Sequence, residues 1–364
     1  MGFKCGIVGL PNVGKSTLYN ALTKAGIGAE NYPFCTIDPN VGIVPVPDPR
    51  LQQIVDIVKP KKSISTHMEF VDIAGLVAGA SQGEGLGNQF LAHIRETQVI
   101  AQVVRCFEND NIVHVAGKID PLSDIDIINT ELCLADQELL DRALLRLNKL
   151  KKAIDNKDAF KKLALIERIM EVVNKGQPVR SMNLNPDEAE MISDLHLLTE
   201  KPVFYIANID EQGLRGNTWI EQLTKLAKEE KTIVIPVCAA IEAEIALLEE
   251  IDKQEFLADI GLKEPGLNRI IREGYQLLGL QTFFTVGPEE VRSWTIRVGD
   301  SASKAAGNIH TDFEKGFIRA EVIAFSDFIA CKGEQGAKDT GKWRLEGRNY
   351  VVQDGDIMLF RFNV

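Results

Sequence analysis

The feature that most constrains this chain is the run Gly9-Leu10-Pro11-Asn12-Val13-Gly14-Lys15-Ser16, which fits G-x-x-x-x-G-K-[ST]. It follows an apolar, strand-like Phe3–Val8 and opens a helical pattern over residues 15–24. That strand–loop–helix context is what a phosphate-binding loop requires. Glycines let the backbone curl so that its N–H groups converge on a β-phosphate. The start of a helix adds a positive dipole end. The expected phosphate contacts are Asn12, Val13, Gly14, Lys15, Ser16 and Thr17. Lys15 is the catalytic cation that reaches the β- and γ-phosphate oxygens, and the Ser16 hydroxyl is a Mg²⁺ ligand.

A second element lies some 55 residues on, in Phe70-Val71-Asp72-Ile73-Ala74-Gly75. Asp72 ends an apolar strand, where a carboxylate holds Mg²⁺ through a water, and Gly75 offers its N–H to the γ-phosphate. Thr36 lies between the two motifs, placed to complete Mg²⁺ coordination and to sense the γ-phosphate. The adjacent Cys35 reads either as a redox-sensitive thiol or as inert packing.

The pattern around these motifs is that of an α/β fold. Short apolar runs at 68–73, 99–107, 202–207 and 232–237 alternate with helical stretches, as in a mostly parallel sheet covered by helices. Residues 132–154 and 160–173 instead carry apolar positions at steps of three and four, separated by Asp155-Asn156-Lys157-Asp158. They predict an antiparallel helical hairpin inserted into the α/β domain. Helical patterns at 243–259 and 267–278 close that domain. Beyond 281, short β-type runs and one weak helical pattern around 303–306 predict a small α+β module. The expected bounds are 1–130 and 201–280 for the nucleotide domain, 131–200 for the helical insertion and 281–364 for the C-terminal module.

Composition excludes several classes. Of 364 residues, 45% are hydrophobic and 26% charged, which is globular rather than disordered. No apolar run reaches the roughly 18 residues of a membrane span, so no membrane partner is expected. The first residues lead straight into a strand and are read as neither signal nor transit peptide. The six cysteines are scattered, which suggests reduced thiols and a cytoplasmic location. A net charge of −11 argues against general nucleic-acid binding, and no DNA specificity is expected. Yet residues 142–180 hold eleven Lys/Arg against four Asp/Glu. This basic island reads either as a polyanion contact or as a solvated helical face.

The runs Gly-x-Pro-Asn-Val-Gly-Lys-Ser, Tyr32-Pro33-Phe34-Cys35-Thr36-Ile37-Asp38-Pro39-Asn40 and Asp72-x-Ala74-Gly75-Leu76 together resemble the Obg-related GTPases, and specifically their YchF group. The resemblance covers essentially the whole chain. It implies a P-loop NTPase G-domain, a coiled-coil insertion and a C-terminal TGS domain, a ubiquitin-like β-grasp. The TGS part is carried by Gly307-Asn308-Ile309-His310-Thr311-Asp312-Phe313 and Phe317-Ile318-Arg319-Ala320-Glu321-Val322. It also implies an ATPase linked to ribosomes and their RNA. In relatives an asparagine at the position of Asn12 helps hold K⁺ beside the phosphates; the other reading of Asn12 is a loop-stabilising Asx-turn.

Two positions depart from the pattern of related GTPases. Leu76 stands where a glutamine often orients the attacking water, and it has no group to do so. His114 is a candidate to replace it, against the reading of a surface histidine without a role. Guanine is read in G-domains by Asn-Lys-x-Asp, but here Asn208-Ile209-Asp210-Glu211 follows the strand at 202–207. Ile209 replaces the lysine, and the longer Glu211 displaces the carboxylate, so ATP is expected over GTP. An adenine 6-amino group would meet the Asn208 side-chain oxygen or a carbonyl near Ile209. The remaining reading is that Glu211 still serves guanine. The expected function is an ATP-hydrolysing switch on the ribosome; the alternative is a nucleotide-gated binding protein with GTP or dual specificity and incidental turnover.

Overall fold

The computed structural model describes residues 3–25, 40–73, 86–114, 117–151 and 157–363. The chain divides into two compact units, Phe3–Val44 with Glu69–Ile270, and Pro45–Met68 with Ile271–Val364. Among the described residues the strands are β1 (Phe3–Val8), β2 (Val41–Pro45), β3 (Lys62–Ile64), β4 (His67–Asp72), β5 (Val99–Arg105), β6 (Val203–Asn208), β7 (Val234–Val237), β8 (Leu280–Val286), β9 (Glu290–Arg297), β10 (Phe317–Ile323), β11 (Arg344–Glu346) and β12 (Ile357–Phe362). The helices of the first unit are α1 (Lys15–Ala25), α3 (Leu86–Glu96), α4 (Pro121–Lys151), α5 (Lys157–Val173), α6 (Pro186–Ile192), α7 (Thr218–Glu229), α8 (Ala239–Ile245) and α9 (Glu250–Asp259). In the second, α2 (Pro49–Val58) precedes β3, and α11 (Ala302–Ile309), α12 (Thr311–Lys315), α13 (Phe325–Ala330) and α14 (Glu334–Asp339) lie between the later strands; α10 (Gly266–Leu277) runs across the division.

The first unit is built on a six-stranded sheet in the order β2-β4-β1-β5-β6-β7. The pairs β1–β5, β5–β6 and β6–β7 are parallel. Every residue of β5 and β6 is buried, which is why these central strands read as unbroken apolar runs without alternation. The crevice outside the carboxyl ends of such strands is where an open α/β sheet binds ligand.

The inserted hairpin is α4 against α5. Leu140 in α4 faces Leu165, Ile166, Ile169 and Val173 in α5, and Ile192 and Leu197 close the cluster. Helix α4 begins at Pro121, earlier than the periodicity indicates, because its first turns are buried among polar residues such as Asp124 and Asn129. The helical pattern at 243–259 is two helices. It breaks at Ala246, and α9 restarts after Glu249.

The second unit holds the sheet β11-β10-β12-β8-β9-β3. Here β8–β9 is antiparallel, β12–β8 parallel and β10 antiparallel to both β11 and β12. Ala302, Ala305 and Ala306 of α11 pack on Phe283, Ile296, Val322 and Phe360. A helix laid across such a mixed sheet is the β-grasp arrangement. This unit differs from the expected bounds in two respects: it begins at Ile271 rather than at 281, and it takes in an earlier segment. The segment Pro45–Met68, assigned from sequence to the nucleotide domain, belongs with the C-terminal module: β3 pairs in parallel with β9, Lys62 opposite Glu290. Helix α2 packs there too, placing Ile54 against Phe284, Val291 and Phe328. Asp48 caps α2 by accepting from Arg50 N–H at 3.0 Å, and Pro49 starts the helix.

Candidate nucleotide site

The loop between β1 and α1 has the shape the motif predicts, for reasons visible residue by residue. A Cβ on Gly9 would lie 2.6 Å from the Val103 carbonyl oxygen of β5. Gly14 has φ +100°, and a Cβ there would lie 2.2 Å from Asn208 Nδ2. Neither position admits a side chain without displacing its neighbours. Asn12 also takes a positive φ of 63°, a conformation asparagine tolerates better than most residues. The loop thus delivers the N-terminal N–H groups of α1, which have no intrahelical acceptors, into one concavity.

Lys15 is 7% exposed, and its Nζ donates to the Leu10 carbonyl at 2.8 Å across the loop. Burial lowers its pKa to about 8, with the Asp72 carboxylate pulling the other way. Asp72 ends β4; burial raises its pKa, and the charge of Lys15 opposes that rise. Asp72 Oδ1 is buried and makes no hydrogen bond among the described residues. A buried carboxylate oxygen without a donor beside a phosphate loop is a site for a hydrated cation. Ser16 lies exposed at the start of α1, where its hydroxyl is available as a ligand. These residues fit Mg²⁺, which keeps most of its waters and takes few protein ligands.

Asn208 closes β6 and is 5% exposed. Its Nδ2 donates to the Val13 carbonyl at 2.9 Å, and its Oδ1 accepts from Ala239 N–H at 3.1 Å. It therefore clasps the phosphate loop to the start of α8. Beside it opens a cleft of about 580 Å³ lined by residues 12 and 14–17, Phe107, Asn109, Ile112, Asn208 to Glu211, and Cys238 to Ala240. Asp210 is turned into the chain, accepting from Gly213 N–H at 2.8 Å, while Glu211 is exposed at the rim.

The wall formed by Phe107, Asn109 and Ile112 is organised by a residue that the sequence does not single out. Arg105, the last residue of β5, is 2% exposed. Its guanidinium donates to the carbonyls of Phe107 (3.2 Å), Asn109 (3.2 Å) and Ile112 (3.0 Å), and it lies 4.8 Å from the Phe107 ring centroid. Five fixed donors suit an arginine to gather three carbonyls of one turn. Its neighbourhood includes Asp124, whose charge favours the guanidinium against the burial that disfavours it. The same loop reaches the phosphate loop, where Asn12 Nδ2 donates to the Val113 carbonyl at 3.2 Å.

Comparison with known proteins agrees with this geometry. A family model described as "50S ribosome-binding GTPase" matches residues 4–134, and the YchF GTPase C-terminal model, described as a protein of unknown function (DUF933), matches residues 280–363. The "Ribosome-binding ATPase YchF" of Haemophilus ducreyi is 63% identical over the full length of both chains. The chain belongs to the YchF family. The Bacillus subtilis member, of the same printed name, is 52% identical over all of both chains. The solved Schizosaccharomyces pombe YchF GTPase is 38% identical, with a TM-score of 0.89 over 99% of this chain and 98% of that one.

Within this YchF-family chain, the structure brings Asn12, Gly14, Lys15, Ser16, Thr17, Asn208 and Ile209 to one cleft. Val13 is different. Its side chain is fully buried and its carbonyl is held by Asn208, so its backbone N–H is the group left for a phosphate. Thr36, Gly75, Leu76 and Cys35 lie outside the described residues. Asn12 makes a long-range bond through Nδ2 to the Val113 carbonyl, which leaves its Oδ1 available. Asn208 is also a clasp: its oxygen accepts from Ala239 N–H, which leaves one lone pair of that oxygen for a base donor. His114 is no surface residue: it is 8% exposed, its Nε2 lies 3.1 Å from Asp124 Oδ2 at the start of α4, and it does not line the cleft. Ile209 is 3% exposed and faces the cleft at the position where a guanine-reading lysine would stand.

Proposed function

We propose that this chain is a Mg²⁺-dependent ATPase that prefers ATP to GTP and associates with the ribosome. The observation that carries the base preference is the pair Ile209, buried in the wall of the cleft, and Glu211 at its exposed rim. Guanine recognition needs a carboxylate accepting from N1–H and the 2-amino group together, and a bidentate contact tolerates little displacement. Each unpaired guanine donor costs about 1–3 kcal/mol. Adenine has no 2-amino group and carries an acceptor at N1, so it loses nothing there. Ile209 offers an apolar surface to either base. The relatives' printed names, ribosome-binding ATPase, support both the nucleotide and the partner.

In this reading Lys15 leaves the Leu10 carbonyl to bind the β- and γ-phosphate oxygens, and the N–H groups of residues 14–17 cradle the β-phosphate. Ser16, Thr36 and, through a water, Asp72 would hold Mg²⁺, which would supply positive charge against the phosphates. Gly75 supplies an N–H to the γ-phosphate. K⁺ beside Asn12 would take the Oδ1 that the bond to Val113 leaves available. His114 is the candidate to orient the water that Leu76 cannot; it is buried against Asp124 and does not line the cleft, so that role requires it to move toward the phosphates. Turnover is slow without that movement, which is the point at which ribosomes or another partner would act.

Titration of ATP, GTP and their diphosphates under one set of conditions tests the base preference. A tenfold or larger preference for GTP, about 1.4 kcal/mol, overturns it. Turnover with and without ribosomes separates the ATPase from a nucleotide-gated binding protein, and a rate unchanged by ribosomes and by His114→Ala favours the latter.

A further inference from the structure

The turn between α8 and α9 exposes three aliphatic side chains within five residues: Leu247 (69%), Leu248 (37%) and Ile251 (78%). The turn is well made, with Leu247 N–H bonded to the Glu244 carbonyl and Leu248 N–H to that of Ile245, while the Ile245 side chain anchors it in the core. Nothing in this backbone requires Leu247 or Ile251 to be apolar, since neither packs inward. Exposed aliphatics grouped in this way and rimmed by polar residues mark interaction surfaces.

The rim is predominantly acidic. Glu244, Glu249, Asp252 and Glu255 are all exposed around the three side chains. Lys253 is the one basic residue between Glu242 and Asp259. Among the other exposed aliphatics, Ile318, Leu345 and Leu359 of the C-terminal sheet have neighbours of both signs: Arg319, Arg344 and Arg361, with Glu321 opposite Leu345 and Leu359. An acidic rim repels nucleic acid, whose backbone contacts come from Lys and Arg. It complements a protein segment that carries aliphatic residues on one face and Lys/Arg around them. Helix α8 ties the surface to the nucleotide cleft, since its first residues, Ala239 and Ala240, line that cleft and its last turn leads into Leu247.

We propose that Leu247, Leu248 and Ile251 form a docking surface for a basic amphipathic segment of a partner protein. The test uses the full chain with ¹³C-labelled Ile, Leu and Val methyl groups. The probe is a synthetic amphipathic helix of leucine and lysine, about 18 residues or five turns long. The same helix with glutamate for lysine, and a short RNA hairpin, serve as the other occupants. The lysine helix should shift the methyls of Leu247, Leu248 and Ile251, and Ile251→Glu should weaken that binding at least tenfold. Ile251 is exposed, so this variant leaves the core intact. The proposal is overturned by absence of shifts, by shifts centred on Ile318, Leu345 and Leu359, by equal binding of the glutamate helix, or by the RNA moving the same methyls. The experiment needs neither nucleotide nor ribosome, so its outcome is independent of the proposed activity.

Discussion

The side-chain amide of Asn208 donates to the carbonyl of Val13, 195 positions earlier in the chain, at 2.9 Å while its oxygen accepts from Ala239 N–H. One buried side chain thereby fixes the phosphate loop relative to the loop beneath the base. Asn208→Ala should cost about 1–3 kcal/mol of stability, the range for leaving buried partners unsatisfied. It should weaken ATP and GTP by similar factors, because it loosens the cleft without touching base selection. Urea unfolding and parallel titrations check this; a loss confined to ATP would mean that Asn208 reads adenine directly.

Lys15 gives the site a pH dependence. The buried amine has a pKa of about 8, against 10.5 for a free lysine. Triphosphate binding favours the protonated amine, so affinity should be level below pH 8 and fall above it. At pH 9 about one amine in ten is protonated in the free protein, so affinity should be about tenfold weaker than at pH 7. Stability moves oppositely. Between pH 8 and 10.5 the unfolded chain binds more protons at this group, so Lys15 contributes stability that rises with pH across that window. Lys15→Ala removes a buried cation, so it should abolish hydrolysis, flatten the affinity profile and leave the fold intact. An unchanged profile in this variant would assign the titration elsewhere.

What could be read in the sequence follows from how local each signal is. The phosphate loop and Asp72 are legible because their chemistry requires glycine, lysine and a carboxylate at fixed steps. Ile209 and Glu211 are legible for the same reason, as misfits in a fixed pattern. The placement of β3 with the C-terminal sheet is not, because three residues, Lys-Ser-Ile, carry no alternation and their partner strand lies over 200 positions away. Arg105 looks like an ordinary strand end until three carbonyls of one turn converge on it. The polar neighbours of His114 suggest a surface, yet Asp124 supplies the partner that allows its burial. The break between α8 and α9 is hidden because the turn itself is apolar.

Asp136 is fully buried in α4 and holds the segment leading into β6. Its carboxylate accepts from Leu198 N–H and Thr199 N–H, each at 2.8 Å, and from the Thr199 hydroxyl at 2.7 Å. Burial raises its pKa, and these donors oppose the rise. Asp136→Ala would orphan two backbone donors and should cost about 2–4 kcal/mol. Asp136→Asn keeps one acceptor and should cost less. Denaturant unfolding ranks the pair; equal losses would assign the effect to the charge rather than to the lost acceptors.

The basic hairpin is partly neutralised by residues outside the stretch in which its charge stands out. Lys162 pairs with Asp194 at 2.6 Å, and Arg168 with Glu188 at 2.7 Å. Lys149 and Lys161 are exposed, the latter 4.0 Å from Asp158. If the hairpin docks on ribosomal RNA, reversing Lys149, Lys151, Lys152 and Lys161 to Glu should abolish co-sedimentation with ribosomes. Affinity of the unaltered chain should fall steeply with salt, as counterion release requires. Retained co-sedimentation of the variant would exclude this face.

The base preference should be reversible by design. Glu211 sits at the exposed rim, at the entrance to the short turn Gln212–Arg215, with φ −58°. Shortening it to aspartate withdraws the carboxylate by one methylene, toward the reach that a bidentate guanine contact needs. Ile209 lines the cleft, and a lysine there would lay its aliphatic stem over the base while its ammonium reaches solvent. The double variant Ile209→Lys, Glu211→Asp should therefore gain at least tenfold in GTP affinity relative to ATP, about 1.4 kcal/mol. Glu211→Asp alone should supply most of this gain, because it restores two charge-assisted hydrogen bonds, whereas the lysine stem contacts either base. Asn208 and the phosphate loop are untouched, so the affinity for inorganic triphosphate should stay constant and serve as the control. If the double variant keeps the ATP/GTP ratio of the parent chain, Ile209 and Glu211 do not set the preference, and selection lies with the opposite wall of the cleft at Phe107, Asn109 and Ile112.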